Sequence, residues 1–355
     1  MAIIFMDSYD HYTSLSERGW INYGTSISPG ITASYGRYST AGIAVNDWGR
    51  GGYLPLGADN SSGGVAFAFY MSAWPNPDRE LMSLMDGLTK QVGLYISTVG
   101  VLYVKGGAGT NLGNIATLPR STWIHLELTT TISTTVGTVT VCVNGVNLLS
   151  LTSKNTQASG AAQFNAIGLM QGSSGGGGTD NRFDDLIVYS GTTFVGDLRV
   201  QYLAPSNAGI RTNFTPLSDA NWSNVDDATP NDNDYNSSNV VGATDLFAMP
   251  NIGNGVVHGV QTVLRYKKDD AGFRTVQPVF YRADVDDGGL PPPSTTPRWY
   301  RGTKASVYDS FWKSYQVLNT SPLSGLSWTK DEINALQFGY AVGDAAMFTI
   351  DASVV

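Results

Sequence analysis

"RFDDLIVYS", Arg182 to Ser190, sets two aspartates directly in front of a run of apolar and β-branched residues, just after a glycine-rich loop. Side chains of a strand alternate between its faces, so Phe183, Asp185, Ile187 and Tyr189 are expected on one face and Asp184, Leu186 and Val188 on the other. Both sets are mainly apolar. Such a strand is covered on both sides, once by its own sandwich and once by something else, for which the second half of the chain is the expected cover. Aspartates at the start of a strand mostly brace turns by accepting backbone N–H hydrogen bonds, here from the preceding "GSSGGGGTDN" loop. The rival reading is the carboxylate pair of a glycosidase, which stands across a cleft at about 5 Å or at roughly 6.5–9.5 Å. Adjacent strand residues point to opposite faces and cannot form one.

Outward from this segment the same period-two alternation recurs between Gly, Asn, Asp and Pro clusters, and helical periodicity is nearly absent. The chain therefore reads as all-β. In the first half, strands are expected over residues 2–6, 64–74, 91–98, 100–105, 122–130, 137–144, 146–151, 165–171 and 182–189. "VNGVN" reads as a hairpin, because Asn144-Gly145 supplies the positive φ that a two-residue turn requires. A second series is expected over 197–203, 256–268, 273–282, 306–318, 335–342 and 346–350, with "YDSFWKSYQVL" read as a sandwich strand. "SWTKDEINAL" is the one helix expected, capped by Ser327 or Thr329, with Asp331 and Glu332 near its positive end. These patterns predict two domains, 1–194 and 195–355, and no fixed repeat that would make a solenoid or fibre shaft.

Composition bounds the function. The chain has 355 residues, and its 21 Lys+Arg against 29 Asp+Glu give 21 − 29 = −8, a balance that repels nucleic acid. Charged residues are only 14% of the chain and glycines number 41, which suits strands joined by tight turns. The single cysteine, Cys142, sits in "TVTVCVNG" and reads as a small buried hydrophobe. His11, His125 and His258 show no dyad or metal spacing. No segment approaches the length of a membrane span, and Asp7 interrupts the first apolar run, so the chain is expected to be made in the cytoplasm without membrane insertion.

Candidate sites are few. The glutamates Glu17, Glu80, Glu127 and Glu332 are isolated from one another, and no Glu-x-Asp-x-x-Glu strand lines one face with three carboxylates. The glycine-rich loop lacks the Lys and Ser/Thr of a phosphate loop and precedes a strand instead of a helix. "DDATPNDNDYN" offers Asp226, Asp227, Asp232 and Asp234, with Asn231 and Asn233, as hard oxygen ligands for calcium, although the Gly and terminal Glu of an EF-hand are missing. "ADVDDGG" (Asp284, Asp286, Asp287) is a second acidic cluster. No other cofactor is indicated. Arg298, Trp299, Tyr300 and Arg301 combine the residue types that anchor interfaces and are expected in a surface loop.

The order of "VAFAFYMSAW", "LYISTVGVLYVKGG", "STWIHLELTTT", "GTVTVCVNGVNLL", "NAIGLMQG" and "RFDDLIVY" resembles a concanavalin A-like or laminin-G-like jelly-roll β-sandwich over residues 1–190. Over the whole chain, "IIFMDSYDHY", "FDDLIVY", "GDLRVQYLAPSNAG", "DYNSSNVVGATDLFAMP", "VHGVQTVLRYKKDDAGFRTVQPV" and "WTKDEINALQFGYAV" follow one another as in a family of tailed-bacteriophage virion structural proteins. That resemblance implies a second β-sandwich after the first. It also implies a non-enzymatic part of a tail, neck or head appendage, located in the virion, partnered by copies of itself and other virion proteins, and touching the host surface. The alternative is a carbohydrate-binding module or depolymerase acting on bacterial surface glycan.

Overall fold

Strands follow one another with almost no helix in the computed structural model, which describes residues 1–22, 30–47, 51–169, 177–227, 231–282 and 299–343. Two units divide at Tyr202/Leu203, later than the sequence places the boundary. The first begins with β1 (Ala2–Asp7), β2 (Ile21–Asn22), β3 (Gly30–Thr32), β4 (Gly42–Asp47) and β5 (Gly52–Asn60). It continues through β6 (Ser62–Met71), β7 (Arg79–Asp86), β8 (Thr89–Ile96), β9 (Val101–Gly106) and β10 (Thr110–Thr117). It ends with β11 (Ile124–Thr131), β12 (Gly137–Val143), β13 (Val146–Lys154), β14 (Phe164–Leu169) and β15 (Gly177–Ser190).

These strands form two antiparallel sheets. One has eight strands in the order β13-β12-β11-β6-β15-β4-β3, with β1 added beside β15, and the other has seven in the order β10-β9-β8-β7-β14-β5-β2. Both are threaded by long-range pairings, as in a jelly roll of the concanavalin A-like kind. The predicted turn is present: Asn144 and Gly145 take φ of 49° and 76° and join β12 to β13. Alternation then sorts the side chains. Val65, Phe67 and Phe69 of β6 and Leu126 and Leu128 of β11 face Leu84 of β7, Leu94 of β8 and Ile167 of β14 across one continuous core.

β15 departs from the alternation expected of it. Asp184 pairs with Ala68 but Ile187 pairs with Ala66, so one residue is inserted, and Asp185 takes the left-handed φ of 53°. The insertion shifts the phase, and Phe183, Leu186 and Val188 share the core face. The aspartates therefore sit at a mid-strand bulge and not at the start of the strand.

Part of the other face of this sheet is covered from within the first unit. Residues 197–203, expected to be a strand, are not one; residues 195–202 run as an irregular strap over the sheet. Val195 N and Gly196 N donate to Glu127 on β11 at 2.6 and 3.2 Å, and Val200 N donates to Asp185 at 2.7 Å. Small residues on the outward positions of β6 make room: at Gly64 a Cβ would lie 2.5 Å from the Tyr189 ring, which crosses there to donate its OH to Glu127 at 2.5 Å.

The second unit holds β16 (Asn207–Thr212), β17 (Thr215–Pro216), β18 (Asn236–Ser237), β19 (Thr244–Ala248) and β20 (Val260–Tyr266). After these come β21 (Thr275–Arg282), β22 (Trp299–Arg301), β23 (Ala305–Ser306), β24 (Trp312–Leu318), α1 (Lys330–Asn334) and β25 (Leu336–Val342). Its main sheet runs β16-β19-β25-β21-β22 with β23 beside β21. The ribbon β20-β24 supplies Val260 and Leu318 to a core with Phe280, Trp328, Leu336 and Phe338, so this sandwich has unequal layers. Thr329 is the helix cap, its hydroxyl accepting Glu332 N at 3.1 Å. The strand expected over 346–350 lies outside the described residues.

Candidate functional site

Asp184 and Asp185 turn out to be braces, and among the described residues their donors lie outside the glycine-rich loop. Asp184 accepts Arg37 N at 2.7 Å and Asp185 N at 2.8 Å, and Asp185 accepts Val200 N. Arg37 also grips Asp197 of the strap through two N–H groups, at 2.5 and 2.8 Å. Burial raises the pKa of both aspartates, and their mutual repulsion adds to the rise at Asp184, while the backbone N–H groups together with Arg37 and Arg199 oppose it. A carboxyl raised in the native state holds a proton that the unfolded chain has released, so native stability is greatest below the unfolded value of about 4 and falls as pH rises through the raised values. Asp184→Asn is expected to flatten that fall in urea titrations between pH 5 and 8. A wild-type slope retained in the variant would refute the assignment. Nearby, His125 is buried with no hydrogen-bond partner for its ring nitrogens, and burial lowers its pKa to about 4.

A more open arrangement lies on the outer face of the seven-stranded sheet. β7 carries a bulge between Glu80 and Met82. It brings Asp78, Glu80 and Ser83 of "DRELMS" to one face, a spacing of i, i+2 and i+5. Tyr95 of β8 pairs directly with Glu80 and with Tyr103 of β9, and the two rings stack at 5.7 Å. Each tyrosine holds one carboxylate: Tyr103 OH donates to Asp78 at 3.0 Å and Tyr95 OH to Glu80 at 3.3 Å. Ser83 Oγ donates to Glu80 at 2.7 Å, and Lys90 forms an ion pair with it. Burial raises the Glu80 pKa against the pull of Lys90, and burial plus the adjacent carboxylates raises both phenols.

Asp78, Ser97, Val101, Tyr103, Lys105, Asn111 and Asn114 line a groove of about 410 Å³ on this face. A second hollow of about 340 Å³, with Tyr53, Pro55, Asn165 and Ala166 in its walls, lies on the same face beyond β7, because Leu54, between Tyr53 and Pro55, and Ile167, next to Ala166, point into the core. Carboxyls at i and i+2 on a strand stand about 7 Å apart. That spacing is compatible with inverting chemistry, but Glu80 is only 2% exposed and its oxygens are engaged, so bond cleavage there needs Lys90 displaced. Asp78 is exposed. Sequence reading passed over this pair because it sought three carboxylates, and here the third position is Ser83.

The other expected site residues are only partly brought together: burial and the neighbouring Asp234 and Asp226 raise the pKa of Asp227. Asp232 is held by Arg265 through two bonds, at 2.8 and 2.7 Å, which removes it from a calcium set with Asp226, Asp227 and Asp234. Among the described residues no group of three or more acidic, His or Cys side chains is placed to hold a metal ion. Asp284, Asp286, Asp287 and Arg298 lie outside the described residues. Trp299, Tyr300 and Arg301 form the edge strand β22 and not a loop. Tyr300 packs near Phe280, while Trp299 stays 38% exposed between Tyr281 and Arg211. Cys142 is free and buried, and burial raises its thiol to about 11. No helix among the described residues is long and apolar enough to cross a membrane.

Fold and site together define an all-β protein of two sandwiches with a polar groove on an outer sheet face. No known protein family matches the sequence, and no curated protein matches it. Among solved structures the chain is similar to a sialidase, at 11% identity over 54% of this chain and 19% of that one, with a TM-score of 0.40. It is similar also to a Trypanosoma rangeli sialidase in complex with 2,3-difluorosialic acid (15% identity, 43% and 26% covered, TM-score 0.35). An alginate lyase is a further neighbour (10% identity, 51% and 88% covered, TM-score 0.33). The chain thus spans 19% of the length of the first of these. All three neighbours are enzymes, which stands against the expectation of a non-enzymatic chain, while likeness this distant carries no activity over to it.

Proposed function

We propose that the first unit recognises bacterial surface polysaccharide in the groove between Asp78 and Asn114. The observation that carries this reading is an open groove on a sheet face, whose exposed Asp78, Asn111 and Asn114 present acceptors and donors suited to sugar hydroxyls. The sequence resemblance supplies the setting: an appendage of a tailed-phage particle, built from copies of this chain with other virion proteins. Titration of the full chain against a panel of bacterial polysaccharides is expected to find a ligand, and the double variant Asn111→Ala/Asn114→Ala is expected to bind it at least tenfold more weakly with unchanged melting. Failure of every polysaccharide to bind defeats the reading.

Cleavage of the bound glycan is the second reading, favoured by the i, i+2 placement of Asp78 and Glu80. The same incubations test it by chain length. Shortened polysaccharide with wild type and intact polysaccharide with Glu80→Gln establish it; intact polysaccharide in both leaves recognition alone.

A further inference from the structure

We propose that this groove selects a glycan bearing carboxylates, with Lys105 as the contact for the acidic group. The inference rests on the reading of the groove as a polysaccharide site. Lys105 Nζ lies 4.6 Å from the centre of the Tyr95 ring and 5.6 Å from that of Tyr103. The rings fix the ammonium over their faces and stabilise it, yet supply no counter-charge. Among the described residues no carboxylate forms an ion pair with Lys105.

The two nearby acids are occupied from other directions. Asp78 accepts Thr98 N at 3.0 Å as well as the Tyr103 hydroxyl, and Glu80 is neutralised by Lys90. Neither acid is paired with Lys105, so one fixed cation stands in the groove wall as a separate charge beside the exposed Asp78, in a protein whose formal charge is −8. A neutral glycan gains from that cation only a hydrogen bond to a hydroxyl. A carboxylate gains a charge-assisted contact at a site already ordered, with the Asn111 and Asn114 amides beside it for the neighbouring hydroxyls.

The test compares a hexuronic-acid hexasaccharide with its carboxyl-reduced counterpart, which keeps the backbone and removes the charge. Calorimetry with the full chain is expected to show the acidic form binding at least tenfold more tightly at low salt, and the difference is expected to shrink as salt rises. Lys105→Met keeps the stem over the tyrosines and removes the charge, so it should bring the acidic form down to the affinity of the reduced one. A sulfated neutral hexasaccharide is the control arm, and a preference for it over the uronic form assigns Lys105 to sulfate and overturns the proposal. Equal wild-type affinity for the acidic and reduced forms also overturns it, whether or not the variant folds. If neither hexasaccharide binds but a neutral bacterial polysaccharide does, selection for acid fails and polysaccharide recognition stands; binding of no glycan at all removes both.

Discussion

Glu127→Ala is expected to cost the first unit about 3 kcal/mol of stability, because it removes a shared acceptor from three covered donors. Glu127 is fully buried and takes the Tyr189 hydroxyl at 2.5 Å, Val195 N at 2.6 Å and Gly196 N at 3.2 Å. Each donor left without a partner costs about 1–3 kcal/mol unless water reaches it. Peeling of the strap rehydrates the two backbone groups, so the total stays below three full penalties. The Tyr189 hydroxyl, whose ring lies across Gly64, regains water only if the strap lifts clear of it. Glu127→Gln preserves shape and one acceptor and is expected to lose less than half as much. Urea midpoints measure the cost, and protease cutting within residues 191–202 reports the loosened strap. An alanine variant with the wild-type midpoint and no new cutting would show that the strap does not depend on this carboxyl.

Gly339→Ala is expected to destabilise the second unit by about 3 kcal/mol or more, the upper range for overpacking. Gly339 lies in β25, paired with Leu246 of β19 on one side and Val279 of β21 on the other. A Cβ there would stand 1.9 Å from the Asp245 carbonyl oxygen and 2.9 Å from Leu246 Cα. Both are backbone atoms and cannot rotate away. The strand pair must separate, and Asp245 moves with it, which disturbs its acceptor contacts with Phe214 N at 2.9 Å and the Asn221 amide at 2.6 Å. Hydrogen exchange in peptides over Thr244–Ala248 and Leu336–Val342 is the direct readout. Wild-type protection in both would show that the sheet absorbs the methyl group.

Much of the architecture was legible from local pattern. Alternation located β6, β8, β11 and β12, the Asn144-Gly145 pair marked its hairpin, and the helix cap was narrowed to Ser327 or Thr329, of which the structure uses Thr329. β5 and β10 were passed over, because their side chains are largely exposed and their residues show no clean apolar alternation. The candidate groove was less legible. Nothing local in "DRELMS" announces that a bulge turns Asp78, Glu80 and Ser83 to one face, and Lys105 gains its meaning only from tyrosines on its own and a neighbouring strand. The expected calcium set shows the same limit: four aspartates close in sequence suggested ligands, and only the fold shows that Arg265, distant in sequence, pairs with one of them.

By itself the sequence determined that this is an all-β chain of two sandwiches, because period-two alternation and turn residues act over a few positions and need no knowledge of distant partners. Tertiary structure alone decided what the buried acids do. A one-residue bulge reverses which side chains face the core, and it took the pairing with β6 to place that bulge at Asp185. The acceptors of Glu127 and Asp185 find their donors in a strap tens of residues away or only a turn beyond the strand, and that choice is set by packing over the sheet, which local propensity does not encode.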